Sequence, residues 1–426
     1  MEKPAKNGRF RRFLGVLGPG FVTGASDDDP SGIATYAQTG AIFGHRQLWL
    51  TWAALPFMVA IQEMCGKIGI VTGKGLSGVI KEHYGKPLLF GAVLLLFLAN
   101  TVNIGADLGA MASSARLLFP GSFFAWLLFF TALIVALQVF VPYRRYAKIL
   151  KYLAFSLLAY VVAAFFVNAD WREVWSGLFP LSLSFSSAFL MNVVAFLGTT
   201  ISPYLFFWQT DEEVEDEVVR GEIQEMGKGI PKFSSRDIAD MKKDTVAGMV
   251  FSQIVCFFII FTTAATLNAH GVTDIQTADQ AALALLPFAG QYAFLLFAAG
   301  VLGVGLLSVP VLAGSASYAV AESLGWREGL GKKFMQARGF YVVIILACFL
   351  GFFVNFLGVP PFQMLYYAAI INGIAAPPLI FLILRISGNR KIMGEYASRG
   401  SAKFLGYTIA IVMSLAAVAL IYFFLF

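Results

Sequence analysis

Eleven apolar segments, each about the length of a membrane-spanning helix, follow one another along almost the whole chain. A helix needs roughly 20 predominantly apolar residues to cross a bilayer. Charged residues make up only 13% of the sequence, about half of the roughly 25% found in soluble domains. The expected segments are 13–43, 48–72, 88–110, 123–141, 150–167, 188–208, 245–267, 289–321, 339–357, 362–386 and 403–425. The sequence therefore predicts an all-α polytopic membrane protein of about 11 transmembrane helices, with the lipid bilayer as its surroundings.

The basic residues lie almost entirely in every second loop. If the N-terminus is placed in the cytoplasm, all but three of the 31 Lys and Arg residues fall on that side, the exceptions being Arg46, Arg116 and Arg172. Such an asymmetry sets the orientation of membrane proteins. It predicts a multi-pass protein of the inner (cytoplasmic) membrane, with the N-terminus in the cytoplasm and the C-terminus outside. The net charge of +6 then requires no nucleic-acid partner.

Three consecutive aspartates interrupt the first apolar segment. An Asp at the centre of a spanning helix costs roughly 2.5–3.5 kcal/mol, so Asp27, Asp28 and Asp29 cannot lie together on one continuous lipid-facing helix. Pro30 removes a backbone donor and disfavours helical geometry before it, and Gly32 permits unusual dihedral angles. We expect an unwound stretch that lines a polar cavity, where carboxylates mark ion pathways. The alternative is a short re-entrant loop without a transport role.

A second interruption lies in the sixth apolar segment, where Gly-Thr-Thr-Ile-Ser-Pro-Tyr occupies 198–204 and Pro203 breaks the helix. Broken helices at corresponding positions of two halves are typical of inverted-repeat transporters with a site at the membrane midplane. The sequence thus predicts a single transmembrane domain over 1–426 that comprises a cytoplasmic arm, two five-helix repeats and a terminal helix. These four parts are 1–12, 13–167, 188–386 and 403–425.

The longest predicted cytoplasmic loop, 209–244, begins with a run of acidic residues at 211–217. Two interpretations of this acidic stretch are open. It is either the solvated face of a helix or a rim that attracts cations at the inner mouth of the protein.

The first break resembles the corresponding helix of the Nramp (natural resistance-associated macrophage protein) divalent-metal transporters. The resemblance rests on Gly-Pro-Gly at 18–20, Asp-Pro-Ser-Gly at 29–32 and Ile-Ala-Thr at 33–35. It covers spans one to ten and implies a LeuT-like fold with helices one and six broken at the midplane. It also implies a secondary transporter that moves divalent metal cations by alternating access, so that the metal is a substrate rather than a cofactor.

Individual residues take expected roles from this resemblance. Asp29 matches the family's metal-binding carboxylate, and Thr199 falls where a backbone carbonyl reaches the metal. Asp107 matches an acid of the third helix that serves as a proton relay, with a simple hydrogen bond inside the helix as the alternative. Asn372 lies near the place where the family has a polar residue close to the metal, although a packing role is equally consistent. Asp28 is expected to flank the metal.

Three positions of the expected metal site depart from the family pattern. Gly32 replaces an asparagine, Ser202 a methionine and Tyr204 a histidine. Loss of the thioether removes a soft ligand that favours transition metals. A site with fewer fixed ligands leaves room for water, which suits Mg²⁺ because this ion dehydrates reluctantly. The divergent Nramp-related magnesium transporters are similar in replacing these positions, so Mn²⁺ or Fe²⁺ and Mg²⁺ all remain open as substrates, as does proton coupling.

Motifs for nucleotide binding or covalent catalysis do not occur in the sequence. We therefore expect a transporter driven by ion gradients rather than an enzyme, without a cofactor or an obligatory protein partner. The alternative is sodium- or proton-coupled symport of a small organic solute on the same fold. A sensor that binds its ligand without transporting it is a third possibility.

Overall fold

The computed structural model describes residues 18–141, 157–167, 169–180 and 186–425. Within these ranges the only β-type pairing is an isolated bridge between Glu225 and Lys228, so the predicted all-α class is confirmed. The α-helices of the described residues are α1 (Pro19–Asp27), α2 (Pro30–Phe43), α3 (Trp49–Thr72), α4 (Leu76–His83), α5 (Lys86–Leu118), α6 (Phe123–Phe140), α7 (Leu158–Ala163), α8 (Trp171–Gly177), α9 (Ser187–Thr200), α10 (Pro203–Arg220), α11 (Ser235–Thr266), α12 (Ala278–Ala282), α13 (Leu286–Ala289), α14 (Ala293–Leu324), α15 (Arg338–Val354), α16 (Pro361–Ser387), α17 (Arg390–Met393) and α18 (Gly400–Leu425).

Eight helical segments of the described residues are long and apolar enough to cross a membrane. They are Trp49–Thr72, Lys86–Leu118, Phe123–Phe140, Ser187–Arg220, Ser235–His270, Ala278–Leu324, Pro361–Ser387 and Gly400–Leu425. A ninth, α15, is apolar but has only 17 residues. The first predicted span is divided between α1 and α2, and much of the predicted span 150–167 lies outside the described residues. The count of eleven spans therefore stays a prediction.

The first predicted span consists of two helices joined by an unwound junction. α1 ends at Asp27 and α2 begins at Pro30. Asp29 has φ −62° and ψ 172°, the extended conformation that a following proline favours. Its side chain accepts a hydrogen bond from the backbone N–H of Gly32 at 2.7 Å and thereby caps the N-terminus of α2. The helix is thus interrupted at Pro30, where the sequence predicts a break.

The sixth predicted span is interrupted in the same way. α9 ends at Thr200 and α10 begins at Pro203. Between them, Ser202 is extended, with φ −79° and ψ 137°. α9 approaches α16 so closely that a methyl group added to Gly198 would lie 2.7 Å from the Cα of Gly373. This contact holds the second break against α16, beside the first.

The α1 half-helix is fixed along α11. The carboxylate of Asp244 on α11 accepts hydrogen bonds from the backbone N–H groups of Gly18 at 2.9 Å and Gly20 at 2.8 Å. Two of the free donors at the N-terminus of α1 are satisfied in this way. Farther along, a methyl group added to Gly24 would lie 2.6 Å from the Cα of Gly248. The two backbones therefore touch, and the space between α1 and α11 is closed on the side of the protein where α1 begins.

The acidic stretch at 211–217 does not form a solvated helix face, so that interpretation is wrong. These residues continue α10 to Arg220, and α10 is packed between α3 and α14. The helix therefore turns several of its carboxylates into the protein rather than toward water. The buried ones are Asp211, Glu213, Glu215 and Glu217.

Candidate metal centre

The carboxylate of Asp29 lies at the centre of a buried polar network between the two helix breaks. Its Oδ1 accepts hydrogen bonds from the hydroxyl of Ser31 at 2.6 Å and the backbone N–H of Gly32 at 2.7 Å. Its Oδ2 accepts one from the side-chain amide of Asn103 at 3.0 Å and faces the Tyr204 hydroxyl at 3.5 Å. Three donors from two helices, together with the Tyr204 hydroxyl of a third helix, thus surround one carboxylate.

Asn103 of α5 connects Asp29 to two further polar residues. Its Nδ2 lies 3.3 Å from Oδ2 of Asp107 as well as 3.0 Å from Asp29. Its Oδ1 accepts a hydrogen bond from Nδ2 of Asn372 on α16 at 2.8 Å. Asn103 is not among the site residues that the sequence predicts. The signal that could have found it is its spacing of four residues from Asp107, since residues four apart lie on the same face of a helix.

Asp107 lies one helical turn beyond Asn103 and is fully buried. Its Oδ2 also faces the hydroxyl of Ser308 on α14, at 3.4 Å. Its Oδ1 has no hydrogen-bond donor among the described residues. The same is true of Oδ1 of Asn372. Two buried acceptor oxygens near Asp29 therefore remain available to a cation or to its bound waters.

The second break contributes hydroxyl and carbonyl groups. Oγ1 of Thr199 and Oγ of Ser31 are 3.5 Å apart across the two breaks. The hydroxyl of Ser202 lies 2.6 Å from the carbonyl oxygen of Gly198 and 2.9 Å from that of Thr199. The Thr199 carbonyl, which the resemblance assigns to the metal, is thus already held by a hydrogen bond on one side. A carbonyl oxygen has a second lone pair and can accept again.

Gly32 and Tyr204 determine how closely the two broken helices approach. A methyl group added to Gly32 would lie 3.3 Å from Oγ1 of Thr199 and 3.0 Å from the backbone oxygen of Asp27, so the absence of a side chain lets α2 pack against α9. The Tyr204 hydroxyl donates to the backbone oxygen of Ser26 at 2.7 Å. It thereby joins the end of α1 to the start of α10.

Asp28, which is predicted to flank the metal beside Asp29, has its described hydrogen bond with α11. Its Oδ1 lies 3.2 Å from the Ser252 hydroxyl of α11, and Oδ2 of Asp27 lies 2.8 Å from the same hydroxyl. The other oxygen of each carboxylate has no hydrogen-bond donor among the described residues. The described hydrogen bonds therefore connect Asp28 to α11, whereas those of Asp29 lead to α5 and α10.

The ligands gathered at Asp29 are oxygen atoms and amides. The described residues contain no preformed group of three or more His, Cys, Asp or Glu side chains that could hold a metal. A cation at Asp29 would thus rely on carboxylate, amide and carbonyl oxygens together with water. This is the coordination that hard cations accept.

A cavity of about 280 Å³ opens on the opposite side from the closed end of α1. Gln38 of α2 closes one edge of it, because its Oε1 accepts the backbone N–H of Ile275 at 2.9 Å and its Nε2 lies 3.4 Å from Asp274. Asp274 is exposed there. The residues of α9 and α16 that line the cavity are Ala188, Met191, Phe362, Gln363, Tyr366 and Tyr367.

The sequence matches a known family over nearly its whole length. Residues 20–423 match Nramp, described as natural resistance-associated macrophage protein-like. A relative from Deinococcus radiodurans named divalent metal cation transporter MntH is 25% identical over 413 residues, which cover 95% of this chain and 88% of the relative. A protein of the same name from Erwinia tasmaniensis is 25% identical over 429 residues, which cover 97% of this chain and 95% of the relative.

The fold is similar to that of solved transporters. The manganese transporter of Eremococcus coleocola, crystallised with an aromatic bis-isothiourea substituted compound, superposes with a TM-score of 0.76 at 18% identity, covering 98% of this chain and 88% of that one. MhsT in complex with L-phenylalanine gives a TM-score of 0.57 at 13% identity, covering 95% and 97%. These similarities confirm the expected LeuT-like fold. Together with the match over residues 20–423, they establish that this chain belongs to the Nramp family of transporters.

Proposed function

We propose that this chain transports a hard divalent metal cation through a site centred on Asp29. The observation that carries the proposal is the position of Asp29: its carboxylate caps one half-helix at a break and is bound by polar groups of α5 and α10. Unwound helices at such a position provide carbonyls and dipoles for a cation. The relatives named divalent metal cation transporters support the same substrate class.

The proposed ligands are the carboxylate of Asp29, the carbonyl of Thr199 and the side-chain oxygen of Asn372. Water completes the shell. The cation would displace the hydroxyl of Tyr204 from Oδ2 of Asp29, because this is the longest of the four contacts, at 3.5 Å, while the amide of Asn103 stays bound at 3.0 Å and orients the carboxylate. Displacing weak donors costs little, so binding can be reversible, as transport requires.

Mg²⁺ and Mn²⁺ fit this site better than softer ions. Ser202 occupies the position of the family's methionine and presents a hydroxyl that is bound to two backbone carbonyls. A thioether would favour softer metals, whereas oxygen ligands suit Mg²⁺ and Mn²⁺. We therefore propose that the site discriminates little between Mg²⁺ and Mn²⁺ and excludes Cd²⁺.

The cation is proposed to enter from the side of the 280 Å³ cavity and to leave past α1. The asymmetry of Lys and Arg between the loops indicates that the N-terminus lies in the cytoplasm. With this orientation, the cavity faces the outside of the cell. The exposed carboxylate of Asp274 lies at the cavity and would attract cations. On the other side, Asp244 and the Gly24–Gly248 contact keep α1 against α11. Release inward requires α1 to leave α11.

Asp107 is proposed as the proton relay. Asn103 donates toward both Asp29 and Asp107, so a change of charge at one carboxylate alters the hydrogen bonding of the other. Entry of a cation at Asp29 would thereby favour loss of a proton from Asp107. Whether that proton crosses the membrane is tested together with transport.

Symport of an organic solute is the less favoured function. MhsT, whose structure contains L-phenylalanine, is similar to this chain in fold alone, at 13% identity. By contrast, the relatives that are similar in sequence over 88% or more of their length are named metal cation transporters. The two breaks are also held close together at Asp29, because the hydroxyl of Tyr204 donates a hydrogen bond to the backbone oxygen of Ser26 at 2.7 Å.

The test is uptake into vesicles that contain the purified protein. Mg²⁺ and Mn²⁺ influx should be saturable, and Asp29→Asn should abolish it, while the exposed carboxylate variant Asp279→Asn should transport normally. A pH-sensitive dye inside the vesicles reports whether protons enter with the metal. Full transport by Asp29→Asn would rule out the proposed site, and sodium-driven amino-acid uptake without metal flux would establish the alternative function.

A further inference from the structure

Four buried carboxylates gather where α10, α14 and the loop after α14 meet. We call Asp211, Glu215, Glu322 and Glu328 the inner carboxylate group. Each exposes at most 7% of its surface, although Asp and Glu are almost never fully buried unless they are paired. The group is separate from the transport site, because Asp211 follows Pro203 by eight positions on α10, about 12 Å along a helix.

Two members of the group already hold backbone segments in place. Glu322 accepts hydrogen bonds from the N–H groups of Gly75 at 2.7 Å and Gly78 at 2.8 Å, at the start of α4. Glu215 accepts hydrogen bonds from the hydroxyl of Tyr318 and from the backbone N–H groups of Leu330, at 2.9 Å, and Gly331. Each oxygen of Glu322 accepts one such bond and keeps a further lone pair, so Glu322 can still bind a cation, whereas Oε2 of Glu215 already accepts two hydrogen bonds.

The other two members have oxygens without any donor. Neither oxygen of Asp211 has a hydrogen-bond partner among the described residues, although the side chain is fully buried. A methyl group built on Gly75 would collide with Oδ1 of Asp211 and lie 2.5 Å from Oε2 of Glu322, so these two carboxylates face each other across this glycine. Oε2 of Glu328 likewise has no donor among the described residues. Such unsatisfied buried acceptors are rare and need a partner.

Among the described residues, the nearby lysines do not hydrogen-bond to these unsatisfied oxygens. Three lysines approach the inner carboxylate group, but the ammonium group of each contacts another acceptor. The ammonium group of Lys74 contacts Glu82, and that of Lys332 contacts Glu225. The ammonium group of Lys81 donates to the backbone oxygen of Glu322.

The negative charges of the group instead act on one another. The strongest electrostatic interactions of Asp211 are with other carboxylates, first Glu322 and then Glu328. Burial and the charge of Glu322 raise the pKa of Glu328 to about 10. Neighbouring buried carboxylates cannot all be ionised unless a cation joins them.

We propose that Asp211, Glu322 and Glu328 bind a hard divalent cation at a second site, distinct from the transport site at Asp29. The ligands are carboxylate oxygens contributed by α10, by the end of α14 and by the loop that follows. These three carboxylates do not form a preformed metal-binding group among the described residues, so they would have to draw closer together around the cation, and water would complete its shell. Mg²⁺ is the ion that most readily binds in this way.

A cation in this site links α10 to α14. α10 begins at the second helix break, so the link restrains the half-helix that forms one wall of the transport site. Because Tyr204 of α10 donates to the backbone oxygen of Ser26 at the end of α1, at 2.7 Å, restraining α10 favours the arrangement in which α1 stays against α11, and accumulated cation on this side slows further transport. This regulatory role rests on the proposed function, whereas the binding itself does not.

The experiment measures Mn²⁺ binding by equilibrium dialysis with purified full-length protein. Asp29→Ala removes the transport site, and this variant should still bind about one Mn²⁺ per chain. Adding Asp211→Asn should weaken that residual binding at least tenfold, and adding Glu328→Gln should do the same. Glu395→Gln, which alters an exposed carboxylate, is the control and should leave the residual binding unchanged.

Two results would overturn the proposal. One is an Asp29→Ala protein that binds no Mn²⁺, and the other is residual binding that survives both Asp211→Asn and Glu328→Gln. Thermal unfolding without metal checks folding, since Asp211→Asn removes a buried carboxyl group that has no hydrogen-bond partner among the described residues and should not destabilise the protein. Failure of vesicle uptake would contradict the transport function and would leave this binding result intact.

Discussion

Nδ2 of Asn372 donates a hydrogen bond to Oδ1 of Asn103 at 2.8 Å, which leaves the Asn103 amide nitrogen oriented toward Asp29. The two asparagines come from α16 and α5, and together they fix the direction in which Asn103 presents its donor. An amide held at both ends cannot rotate freely. The geometry of the Asp29 carboxylate thus depends on a residue that it does not contact.

Asn103→Ala should weaken metal uptake without unfolding the protein. The variant removes the donor that orients Oδ2 of Asp29, and residues that orient a metal ligand typically contribute about 10- to 100-fold in affinity. We expect the apparent affinity for Mn²⁺ in vesicle uptake to fall by about tenfold, or about 1.4 kcal/mol. The matched control is Asn100→Ala, because Asn100 is a buried amide of the same helix that bonds Leu312 and Ser315 instead. An equal loss of affinity in both variants would contradict the orienting role.

Asp244→Asn should release α1 from α11. An amide presents a single acceptor oxygen, so it cannot accept from both Gly18 and Gly20 as the carboxylate does. Loss of one charge-assisted hydrogen bond costs roughly 1.5–3 kcal/mol. We expect amide hydrogen exchange across 18–27 to accelerate by about tenfold or more. Asp240→Asn is the control, since this half-exposed acid of α11 pairs with Lys243 and Arg236 instead. If hydrogen exchange were unchanged in Asp244→Asn, Asp244 would not be what holds α1 against α11.

Glu328 makes stability depend on pH. Its folded-state pKa of about 10 lies above the unfolded value of roughly 4.3, so the folded protein binds the proton more tightly. The stabilisation is complete below the unfolded pKa and is lost as pH rises toward the folded pKa. In the presence of a chelator, the unfolding temperature should therefore decrease between about pH 5 and pH 9.

The variant Glu328→Gln separates this effect from the titration of other groups. It should flatten the decrease in unfolding temperature, whereas the exposed control Glu395→Gln should not. Added Mg²⁺ should restore stability at the alkaline end for the unsubstituted protein alone. A slope that is identical in Glu328→Gln and in the unsubstituted protein would contradict the assignment.

Ser202→Met should shift selectivity toward soft metals. The substitution places a thioether at the second break, and sulfur ligands favour Cd²⁺ over Mg²⁺. We expect Cd²⁺ to compete with Mn²⁺ uptake at about tenfold lower concentration than in the unsubstituted protein, a change of about 1.4 kcal/mol. Ser202→Ala removes the same hydrogen bonds to Gly198 and Thr199 without adding sulfur. If Ser202→Ala shifts Cd²⁺ competition equally, the thioether is not the cause.

Both helix breaks and the all-α class could be read from local sequence. Pro30 and Pro203 lack a backbone donor, and consecutive aspartates cannot face lipid, so each interruption follows from neighbouring residues alone. The apolar segments likewise require nothing beyond their own length. The anomaly of acids in a spanning helix pointed to Asp27, Asp28 and Asp29 together, and the family resemblance singled out Asp29. These features do not depend on which other helix is nearby.

The partners of these residues were decided by the tertiary structure. Asn103 meets Asp29 across 74 positions and Asn372 across 269, and hydropathy gives no information about such distances. Asp28 joins Ser252 because of the side on which α11 packs. The acidic stretch of α10 looks solvated in the sequence but is buried, since α3 and α14 enclose that helix. The sequence by itself determined where the chain must unwind and carry charge; helix packing decided which charges meet, because burial is a property of neighbours that are distant in the chain.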